Sequence, residues 1–287
     1  MTSTSTPTFP RVWFITGASR GIGARIAEAA LAQGDAVVAT ARDAAAIEQR
    51  FGTRPGLLAV ALDVTDEPQA VTAVGAALER FGRIDILVNN AGYGLLGAVE
   101  EASADEVRRL YDTNVFGLLN VTRAVLPQMR ERRSGHVINI SSLGGVQSAA
   151  GFGVYCSTKF AVEGLTEALH AELAPLGIHA TVVEPGYFRT DFLESQSLVT
   201  SPRLLGDYAA TAGAVRERAK QISLNQPGDP ERLAQAMLAL VDAAAPPLRL
   251  PLGTDTLRAI ADKHAFVERE TAAWRGVAAS TDFPQAA

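Results

Sequence analysis

Apolar segments and amphipathic segments alternate along most of this chain. Six runs rich in Val, Ile, Leu and Ala predict β-strands, which cover residues 12–16, 35–42, 57–64, 84–92, 135–142 and 177–186. Between them, apolar residues recur at helical spacing over residues 21–34, 67–82, 104–130 and 154–174. The strands are continuous apolar runs, which is typical of strands covered on both faces. This alternation predicts an α/β fold in which helices cover both faces of an open, doubly wound parallel sheet.

The alternation stops after residue 186, and the remaining chain is organised differently. Residues 188–228 predict a mobile insertion with helical content. The chain then closes with a helix, a short strand and a second helix, predicted at 229–243, 248–252 and 255–275. The C-terminal extension, residues 253–287, either caps a pocket or changes the assembly, and its sequence leaves both open. Residues 1–10 are rich in Ser, Thr and Pro and predict a flexible tail before a single domain over 11–287.

Composition narrows the class of protein. The 287 residues are 47% hydrophobic and 20% charged, enough apolar sequence for a large core. The net charge of −5 argues against a nucleic-acid partner. No run approaches the roughly 18 apolar residues of a membrane span, and the single cysteine, Cys156, cannot form an intramolecular disulfide. We therefore expect a soluble, cytoplasmic protein, and no metal site, since its four histidines are scattered at 136, 170, 179 and 264.

The first predicted strand leads directly into a glycine-rich turn, TGASRGIG at residues 16–23. Its glycines, Gly17, Gly21 and Gly23, fall where the strand passes into a helix. Glycine there allows a tight turn and lets backbone N–H groups approach a pyrophosphate at the helix N-terminus. The spacing differs from the commoner G-x-G-x-x-G, and a glycine-rich turn without a ligand is the alternative. Its position after the first strand favours a dinucleotide site.

The end of the second predicted strand indicates which dinucleotide is bound. An acidic residue at this place would bind a ribose 2′-hydroxyl and repel a 2′-phosphate. The chain has Ala41 there instead, followed by Arg42, and Arg20 lies inside the glycine turn. Two guanidinium groups without a carboxylate suit a doubly charged phosphate. We therefore expect NADP(H) to be preferred over NAD(H); the alternative is that both arginines are ordinary surface residues.

Tyr155 and Lys159 are the residues on which the prediction of proton-transfer chemistry depends. They lie four residues apart in a predicted helix and so share one face. A nearby cation favours phenolate and lowers the pKa of the phenol, which suits proton transfer to or from an oxygen. On this pair alone, a surface Tyr/Lys pair is the simpler interpretation. However, Ser142 ends a predicted strand, where parallel sheets bind ligands, and Asn114 lies inside a predicted helix, where asparagine costs stability.

Taken together, these segments resemble a short-chain dehydrogenase/reductase. The chain carries TGASRGIG for the family's TGxxxGxG, NNAG at 89–92, YCSTK at 155–159 for YxxxK, and PGYFRT at 185–190 for PGxxxT. The motifs come in the family's order and span residues 16–190, with some similarity to members that act on hydroxysteroids and retinol. The resemblance implies a Rossmann-type fold and a homodimer or homotetramer. Thr158 is a mild departure, because serine or alanine is more usual before the lysine.

The resemblance also implies roles for individual residues. Tyr155 would be the general acid/base, Lys159 would lower its pKa and bind the nicotinamide ribose, Ser142 would bind the substrate oxygen, and Asn114 would hold a water behind Lys159. Asp63 would contact adenine and Thr190 the carboxamide. The full cofactor set that it implies is Gly17, Ser19, Arg20, Gly21, Ile22, Gly23, Arg42, Asp63, Val64, Asn90, Ala91, Gly92, Tyr155, Lys159, Pro185, Gly186 and Thr190.

The sequence thus predicts an NADPH-dependent enzyme that reduces a ketone or aldehyde, with Tyr155 as proton donor. Aromatic and apolar residues flank the motifs and indicate a bulky hydrophobic substrate. One alternative is an alcohol or hydroxysteroid-type dehydrogenase working in the oxidative direction. Another is a sensor that binds NADP(H) without catalysis, although such proteins tend to lose the tyrosine or the lysine. A serine hydrolase is not supported, because the chain has no GxSxG segment.

Overall fold

A computed structural model describes residues 8–283. Seven parallel strands form the main sheet, in the order β3-β2-β1-β4-β6-β7-β9, and β5 pairs with β8 in a small second sheet. This confirms the predicted doubly wound parallel sheet. The strands are β1 (Val12–Ile15), β2 (Ala36–Ala41), β3 (Leu57–Ala61), β4 (Ile86–Asn89), β5 (Gly94–Leu96), β6 (Gly135–Ile140), β7 (Ile178–Pro185), β8 (Leu198–Thr200) and β9 (Arg249–Leu252).

Ten α-helices connect and cover the strands. They are α1 (Gly21–Ala32), α2 (Ala44–Phe51), α3 (Glu67–Phe81), α4 (Ala104–Tyr111), α5 (Leu118–Arg132), α6 (Leu143–Val146), α7 (Gly153–Leu173), α8 (Ala214–Ile222), α9 (Pro230–Asp242) and α10 (Thr254–Ala279) among the residues described. Two π-helices, Asp112–Gly117 and Ala209–Gly213, and three short 3₁₀ turns complete the chain. The sequence pattern predicted neither α2 nor the β5–β8 pair, since both are short.

The two faces of the sheet explain why its strands are apolar throughout. Successive side chains of a strand point to opposite faces. Trp13 and Ile15 of β1 join a core cluster with Ile26 of α1 and Met237 of α9. Phe14, from the same strand, joins a second cluster on the other face of the sheet, against α3 and α5. Because both clusters are buried, neither face of the strand tolerates polar positions.

The carboxyl ends of three strands lie earlier than the sequence predicts. β3 ends at Ala61, β4 at Asn89 and β6 at Ile140, whereas the predicted strands continue to residues 64, 92 and 142. The residues that follow leave the ladder and form loops along one edge of the sheet. In an open parallel sheet this edge is where ligands bind.

The predicted N-terminal tail is in part an element of the fold. Residues 1–7 lie outside the described part of the chain. The Phe9 ring, however, packs edge-on against Phe81, with ring centres 5.7 Å apart, and Arg83 donates to the carbonyls of Phe9 and Pro10. The last residues of the predicted tail therefore contact the body of the protein, with Phe9 packed over α3, while the flexibility of residues 1–10 stays a prediction.

The segment 188–228, predicted as a mobile insertion with helical content, is helical in part and is tied to the body of the protein. β8 pairs with β5, and α8 brings Arg216 onto the buried carboxylate of Glu101, at 2.6 and 3.2 Å. Glu101 also accepts hydrogen bonds from the amides of Ala98 and Leu205. Hydrogen bonding to Arg216 and to these amides lowers the pKa of Glu101 to about 2, so the anchor is charged at neutral pH.

After the edge strand β9, the C-terminal extension forms the long helix α10. Only Thr256 and Ala259 of this 26-residue helix are buried. The extension does contact the loop after β7, through Asp255, as described below. Within residues 8–283, no helix is both long enough and apolar enough to cross a membrane.

Candidate active site

A cleft of about 740 Å³ opens at the carboxyl ends of the central strands. It brings together residues as far apart in the sequence as Gly17 and Gln226. Of the predicted site residues, those that line it are Gly17, Ser19, Arg20, Gly21, Ile22, Arg42, Asp63, Val64, Asn90, Ala91, Gly92, Ser142, Tyr155, Lys159, Pro185, Gly186 and Thr190. Gly23 and Asn114 are the exceptions, and both lie behind the wall of the cleft, in contact with residues that line it.

The glycine turn at the start of α1 is held against the loop after β4. The backbones of Gly17 and Gly21 have φ of +65° and +56°, a region that favours glycine. The Asn90 amide donates to the carbonyls of Thr16 and Gly17, at 2.9 and 3.0 Å. A Cβ on Gly23 would stand 2.5 Å from Asn90 Nδ2, so only glycine fits there. The turn and Asn90 therefore form one preorganised unit.

The N-terminus of α1 is suited to an anion. No side chain caps the helix, so that its first backbone N–H groups lack a side-chain partner within the described residues. Such groups and the helix dipole together attract phosphate. With the glycine turn and the cleft beside it, the residues present fit the pyrophosphate of a dinucleotide.

The two predicted phosphate-binding arginines differ in their surroundings. Arg20 Nη1 lies 3.0 Å from Asp191 Oδ2, and its Nη2 donates to the Gln196 carbonyl at 2.6 Å. Its guanidinium is thus engaged by the segment after β7. Arg42 is exposed at the mouth of the cleft and makes no ion pair within residues 8–283. Of the two arginines, Arg42 is therefore the one whose guanidinium is available to bind a phosphate group.

The far end of the cleft is shaped by the loop after β3. Asp63 Oδ1 accepts from both the amide and the hydroxyl of Thr65, at 3.0 and 2.8 Å, which fixes its orientation. Val64 is buried and packs against Gly117, where a Cβ would lie 2.6 Å from Val64 Cγ2. Both residues line the cleft, in agreement with their place in the predicted cofactor set, and the contact of Asp63 with adenine stays a prediction.

Tyr155 lies on α7 in apolar surroundings. Its ring centre is 6.1 Å from that of Phe152 and 5.9 Å from that of Phe192, and the residue is 7% exposed. Burial raises the pKa of the Tyr155 phenol above its ordinary value, and hydrogen bonding to Ser142 offsets this in part. The net pKa therefore lies above the ordinary value because loss of hydration dominates, and the lowering effect of Lys159 stays a prediction.

Lys159 is subject to the same burial. Its ammonium Nζ donates to the Ile140 carbonyl at 2.9 Å and lies 5.8 Å from the centre of the Tyr155 ring. Burial lowers the pKa of Lys159 to about 8, although the carboxylate of Glu163 acts to raise it. The lysine is thus charged at neutral pH and close to losing its proton under mildly alkaline conditions.

Ser142 follows β6 and begins the short helix α6. Its hydroxyl accepts from the Gly144 amide at 3.0 Å, which holds the side chain at the floor of the cleft near Tyr155. Ser141, the less favoured neighbour, is 4% exposed and turns toward Glu163 instead. Ser142 is therefore the serine beside the phenol, whereas Ser141 lies beside Glu163.

Asn114 is held in the π-helix between α4 and α5. Its Oδ1 accepts from the Tyr93 amide at 3.1 Å, and its Nδ2 donates to the Tyr93 carbonyl and to Thr158 Oγ1. Thr158 in turn donates to the Tyr155 carbonyl at 2.7 Å. Thr158, the departure from the usual motif, thus links Asn114 to the backbone of the tyrosine. The predicted water behind Lys159 stays a prediction.

The structure adds one residue that the sequence analysis missed. Asp255 Oδ2 accepts from the Tyr187 amide at 2.7 Å, and a Cβ on Gly186 or Gly253 would lie within 2.4 Å of Asp255 Oδ1. The two glycines make room for this carboxylate, which fixes the loop that carries Pro185 and Gly186 into the cleft. Nothing in the local sequence marks Asp255, because its partner lies 68 residues earlier. Across residues 8–283, no three His, Cys, Asp or Glu side chains are grouped as metal ligands.

With this fold and this cleft in place, comparison with known proteins defines the class. The profile of the short chain dehydrogenase family matches residues 11–199. The chain therefore belongs to the short-chain dehydrogenase/reductase family and is an NAD(P)-dependent oxidoreductase. The resemblance stated from the motifs is confirmed.

Individual relatives extend over most of the chain. Oxidoreductase BOA17 of Botryotinia fuckeliana is 40% identical, over 92% of this chain and 97% of that protein. A 3-ketodihydrosphingosine reductase of Bacteroides thetaiotaomicron is 37% identical, over 85% and 88%. Retinol dehydrogenase 8 of Bos taurus is 34% identical, over 84% and 80%. A short-chain dehydrogenase from Streptomyces avermitilis, 43% identical, superposes with a TM-score of 0.88 over 95% of this chain and all of that one.

Solved structures of similar proteins contain both nicotinamide cofactors. A 3-ketoacyl-(acyl-carrier-protein) reductase from Brucella melitensis, complexed with NADH, is 29% identical with a TM-score of 0.72, over 85% of this chain and 97% of that one. A serine dehydrogenase complexed with NADP⁺ is 30% identical with a TM-score of 0.71, over 84% and 94%. An NAD(P) cofactor is therefore a property of these neighbours, without a common preference.

Proposed function

We propose that this protein reduces a ketone or aldehyde of a hydrophobic substrate to an alcohol, with NADPH as hydride donor and Tyr155 as proton donor. The observation that carries the proposal is the buried Tyr155 phenol beside Ser142. Because burial raises its pKa, the phenol stays protonated at neutral pH and has a proton to give. The reduced cofactor supplies the hydride when bound.

The side chains around Tyr155 have complementary tasks in this reaction. Ser142 is placed to donate a hydrogen bond to the substrate oxygen, where negative charge develops. Lys159, charged at neutral pH, stabilises the phenolate that remains after the proton has left, and is the predicted contact of the nicotinamide ribose. Asn114 and Thr158 hold the first turns of α7 in register with the loop at Tyr93.

The proposed substrate is apolar because the cleft is apolar around the reacting group. The side chains of Tyr93, Leu143, Phe152, Tyr187 and Phe192 line it there. Apolar walls favour a bulky hydrophobic carbonyl compound, since burial of apolar surface drives its binding. A relative that is named as a 3-ketodihydrosphingosine reductase agrees with this proposal.

The second candidate is the oxidation of a hydrophobic alcohol, which the likeness to a retinol dehydrogenase favours. In that direction the phenol would have to lose its proton before it could accept one from the alcohol. The raised pKa of Tyr155 disfavours this step at neutral pH, so that reduction is the better fit. Rates of both directions at neutral pH, with one hydrophobic ketone and its alcohol, distinguish the candidates.

Replacement of Tyr155 by Phe tests the chemistry. Tyr155→Phe removes only the hydroxyl, and we expect kcat to fall by about 10²–10⁴-fold while the cofactor still binds. Tyr111→Phe is the matched control, because the Tyr111 hydroxyl bonds Ser157 outside the cleft, and its kcat should stay close to that of the parent protein. Unchanged turnover in Tyr155→Phe would contradict the proposed mechanism, in which Tyr155 donates the proton. Tight cofactor binding without turnover on any hydrophobic ketone or alcohol would favour a sensor.

Fluorescence titration with NADPH and NADH tests the cofactor preference. We expect about tenfold or tighter binding of NADPH, because a hydrogen-bonded guanidinium stabilises the 2′-phosphate. Arg42→Ala should lose this difference, whereas Arg20→Ala should weaken both cofactors alike, since Arg20 is bound to Asp191 and Gln196. Arg232→Ala, at an exposed arginine on α9, is the control. Tighter binding of NADH would contradict the preference and shift the proposal toward alcohol oxidation.

The proposal includes a homodimer or homotetramer in the cytoplasm. The single cysteine, Cys156, is buried and suits a reducing compartment. The mass of the purified protein in solution measures the number of copies directly.

A further inference from the structure

A buried carboxylate follows Lys159 on the same side of α7. Glu163 comes four residues after Lys159, and residues at this spacing are neighbours on a helix surface. Glu163 is 5% exposed, and Lys159 is 7% exposed. Protein rather than water therefore lies around both groups, and charges attract one another more strongly in protein than in water.

A glycine makes room for the Glu163 side chain next to the short helix that Ser142 begins. A Cβ on Gly145 of α6 would lie 2.7 Å from Glu163 Oε1. Ser141 lies beside the same carboxylate, and its hydroxyl lowers the pKa of Glu163. The Lys159 ammonium donates to the Ile140 carbonyl, one residue earlier in the same segment. The carboxylate and the ammonium are thus both packed against residues 140–145.

The ion pairs of Glu163 leave negative charge in excess. Arg249 of β9 donates to three carboxylates, which are those of Glu163, Glu167 and Glu184. One guanidinium group does not neutralise three carboxylates. Burial and the neighbouring Glu184 raise the pKa of Glu163 to about 7, so this carboxylate is charged above that pH.

The other charged groups that face Glu163 come from α10. A groove of about 930 Å³ lies between α10 and α7, and the charged residues of α10 that line it are Lys263, His264, Glu268 and Arg275. In the part of the chain that the structure describes, none of them forms an ion pair with Glu163, and Lys159 forms no direct ion pair with any carboxylate. Glu163 is the carboxylate whose charge acts on Lys159.

We propose that Glu163 is a positioning residue of the active site, whose carboxylate provides the counter-charge of the Lys159 ammonium. The inference rests on the proposed reduction, in which this ammonium stabilises the phenolate of Tyr155. Burial removes water from Lys159 and favours its neutral amine, and the nearby negative charge offsets that effect. Without this charge, the pKa of Lys159 would fall below about 8, and the ammonium would be lost closer to neutral pH.

Glu163→Gln tests this role, because it removes the charge and retains an oxygen that can accept from Arg249. We expect the alkaline fall of kcat/KM to move about one pH unit lower, which makes kcat/KM about fivefold lower than that of the parent at about pH 8 and equal to it at about pH 6. A merely structural role would instead lower kcat/KM at every pH. Glu163→Asp keeps the charge and should keep the pH profile of the parent.

Glu167→Gln is the matched control. Glu167 also pairs with Arg249 and lies one turn farther along α7, where its side chain is 55% exposed. The variant removes the same charge and another partner of the same arginine, and it should keep the pH profile of the parent. Equal shifts in Glu163→Gln and Glu167→Gln would overturn the inference, because the position of the charge would then not matter.

The protonation of Lys159 can also be followed by NMR without substrate or turnover. The chain has three lysines, Lys159, Lys220 and Lys263, so isotopic labelling of the lysine Cε carbons gives three signals, and Lys159→Arg identifies the first. We expect the Lys159 signal to titrate at about pH 8 in the parent protein and about one pH unit lower in Glu163→Gln. The signals of the other two lysines should be the same in both proteins.

This second measurement separates the inference from the proposed function. An unchanged Lys159 titration in Glu163→Gln would overturn the inference even if the protein reduces a ketone. The expected shift in a protein that reduces no ketone or aldehyde would support the counter-charge and contradict the proposed function instead.

Discussion

At the scale of single residues, burial rather than charge controls the protonation of Tyr155 and Lys159. Tyr155 and Lys159 are both 7% exposed, and each is shifted toward its neutral form. The sequence predicts the pair and its shared helix face, but not the sign of the change at Tyr155. That sign depends on Phe152, which immediately precedes α7, and on Phe192 from the segment after β7, since both remove water from the phenol.

The lowered pKa of Lys159 predicts a pH dependence of catalysis. Since the folded protein holds this pKa at about 8, the ammonium is present below that pH and is lost as the pH rises through it. We expect kcat/KM for ketone reduction to fall over this range, because the charge that stabilises the phenolate disappears. In Lys159→Arg, which stays charged, the remaining activity should lack this fall. An identical fall in both proteins would assign it to another group.

At the scale of elements, the site depends on short irregular pieces rather than on the long helices and strands. The predicted helix over 104–130 is interrupted by the π-helix Asp112–Gly117, which carries Asn114 to Tyr93 and Thr158. π-helices of this kind often mark functional sites. The sequence does not reveal the interruption, because its apolar spacing suits an uninterrupted helix. Asn114 was predicted as a site residue because an asparagine inside a helix costs stability. Its hydrogen bonds to Tyr93 and Thr158 explain why an asparagine is present there.

The tie between α8 and the body predicts how the segment 188–228 responds to mutation. Glu101→Gln removes the charge that holds Arg216 and keeps the size of the side chain. We expect faster limited proteolysis within 188–228 and a higher KM for the substrate, because Phe192 and Tyr187 lose support, while kcat changes less. Glu217→Gln is the control, since Glu217 only pairs with Lys220 on the exposed side of α8. Equal proteolysis of parent and Glu101→Gln would contradict the role of Glu101 as an anchor.

At the scale of the whole molecule, the parallel sheet buries polar groups that are tolerated only in one protonation state. His136 of β6 is 6% exposed, and its Nε2 is 2.9 Å from Thr181 Oγ1. Since the Thr181 hydroxyl donates to the Pro247 carbonyl, the histidine must be the donor of that contact. Burial, together with the neighbouring His179, lowers the pKa of His136 to about 3, so it is neutral in the folded protein.

This histidine predicts a loss of stability in acid. Its unfolded pKa is about 6.5 and its folded pKa about 3, so the unfolded state binds more protons between these values. Its contribution is complete above about pH 6.5 and decreases by up to about 1.4 kcal/mol per pH unit toward pH 3. The free energy of unfolding of the parent protein, minus that of His136→Gln, should fall accordingly. A difference that does not vary with pH would contradict the buried neutral histidine.

A variant comparison is needed for this measurement because another buried group acts in the opposite direction. Burial raises the pKa of Glu163 to about 7, so the folded state holds its proton longer and gains stability as the pH falls. Both proteins contain Glu163, and subtraction removes its contribution. The difference between the two free energies of unfolding, followed against pH, therefore reports on the titration of His136 alone.

The amino-acid sequence alone was enough to predict the parallel sheet, most of its longer helices and the residues expected at its carboxyl edge. These follow from local features: continuous apolar runs, the glycine turn, and the motifs around Asn90, Ser142 and Tyr155. The neighbours of these residues become known only in the folded protein. There Arg20 pairs with Asp191, Gly186 lies against Asp255, the segment 188–228 is tied to Glu101, and residues 264–279 of α10 are exposed. The physical reason is that hydration, charge pairing and steric room depend on neighbours that are distant in the chain, whereas apolar periodicity depends on adjacent residues alone.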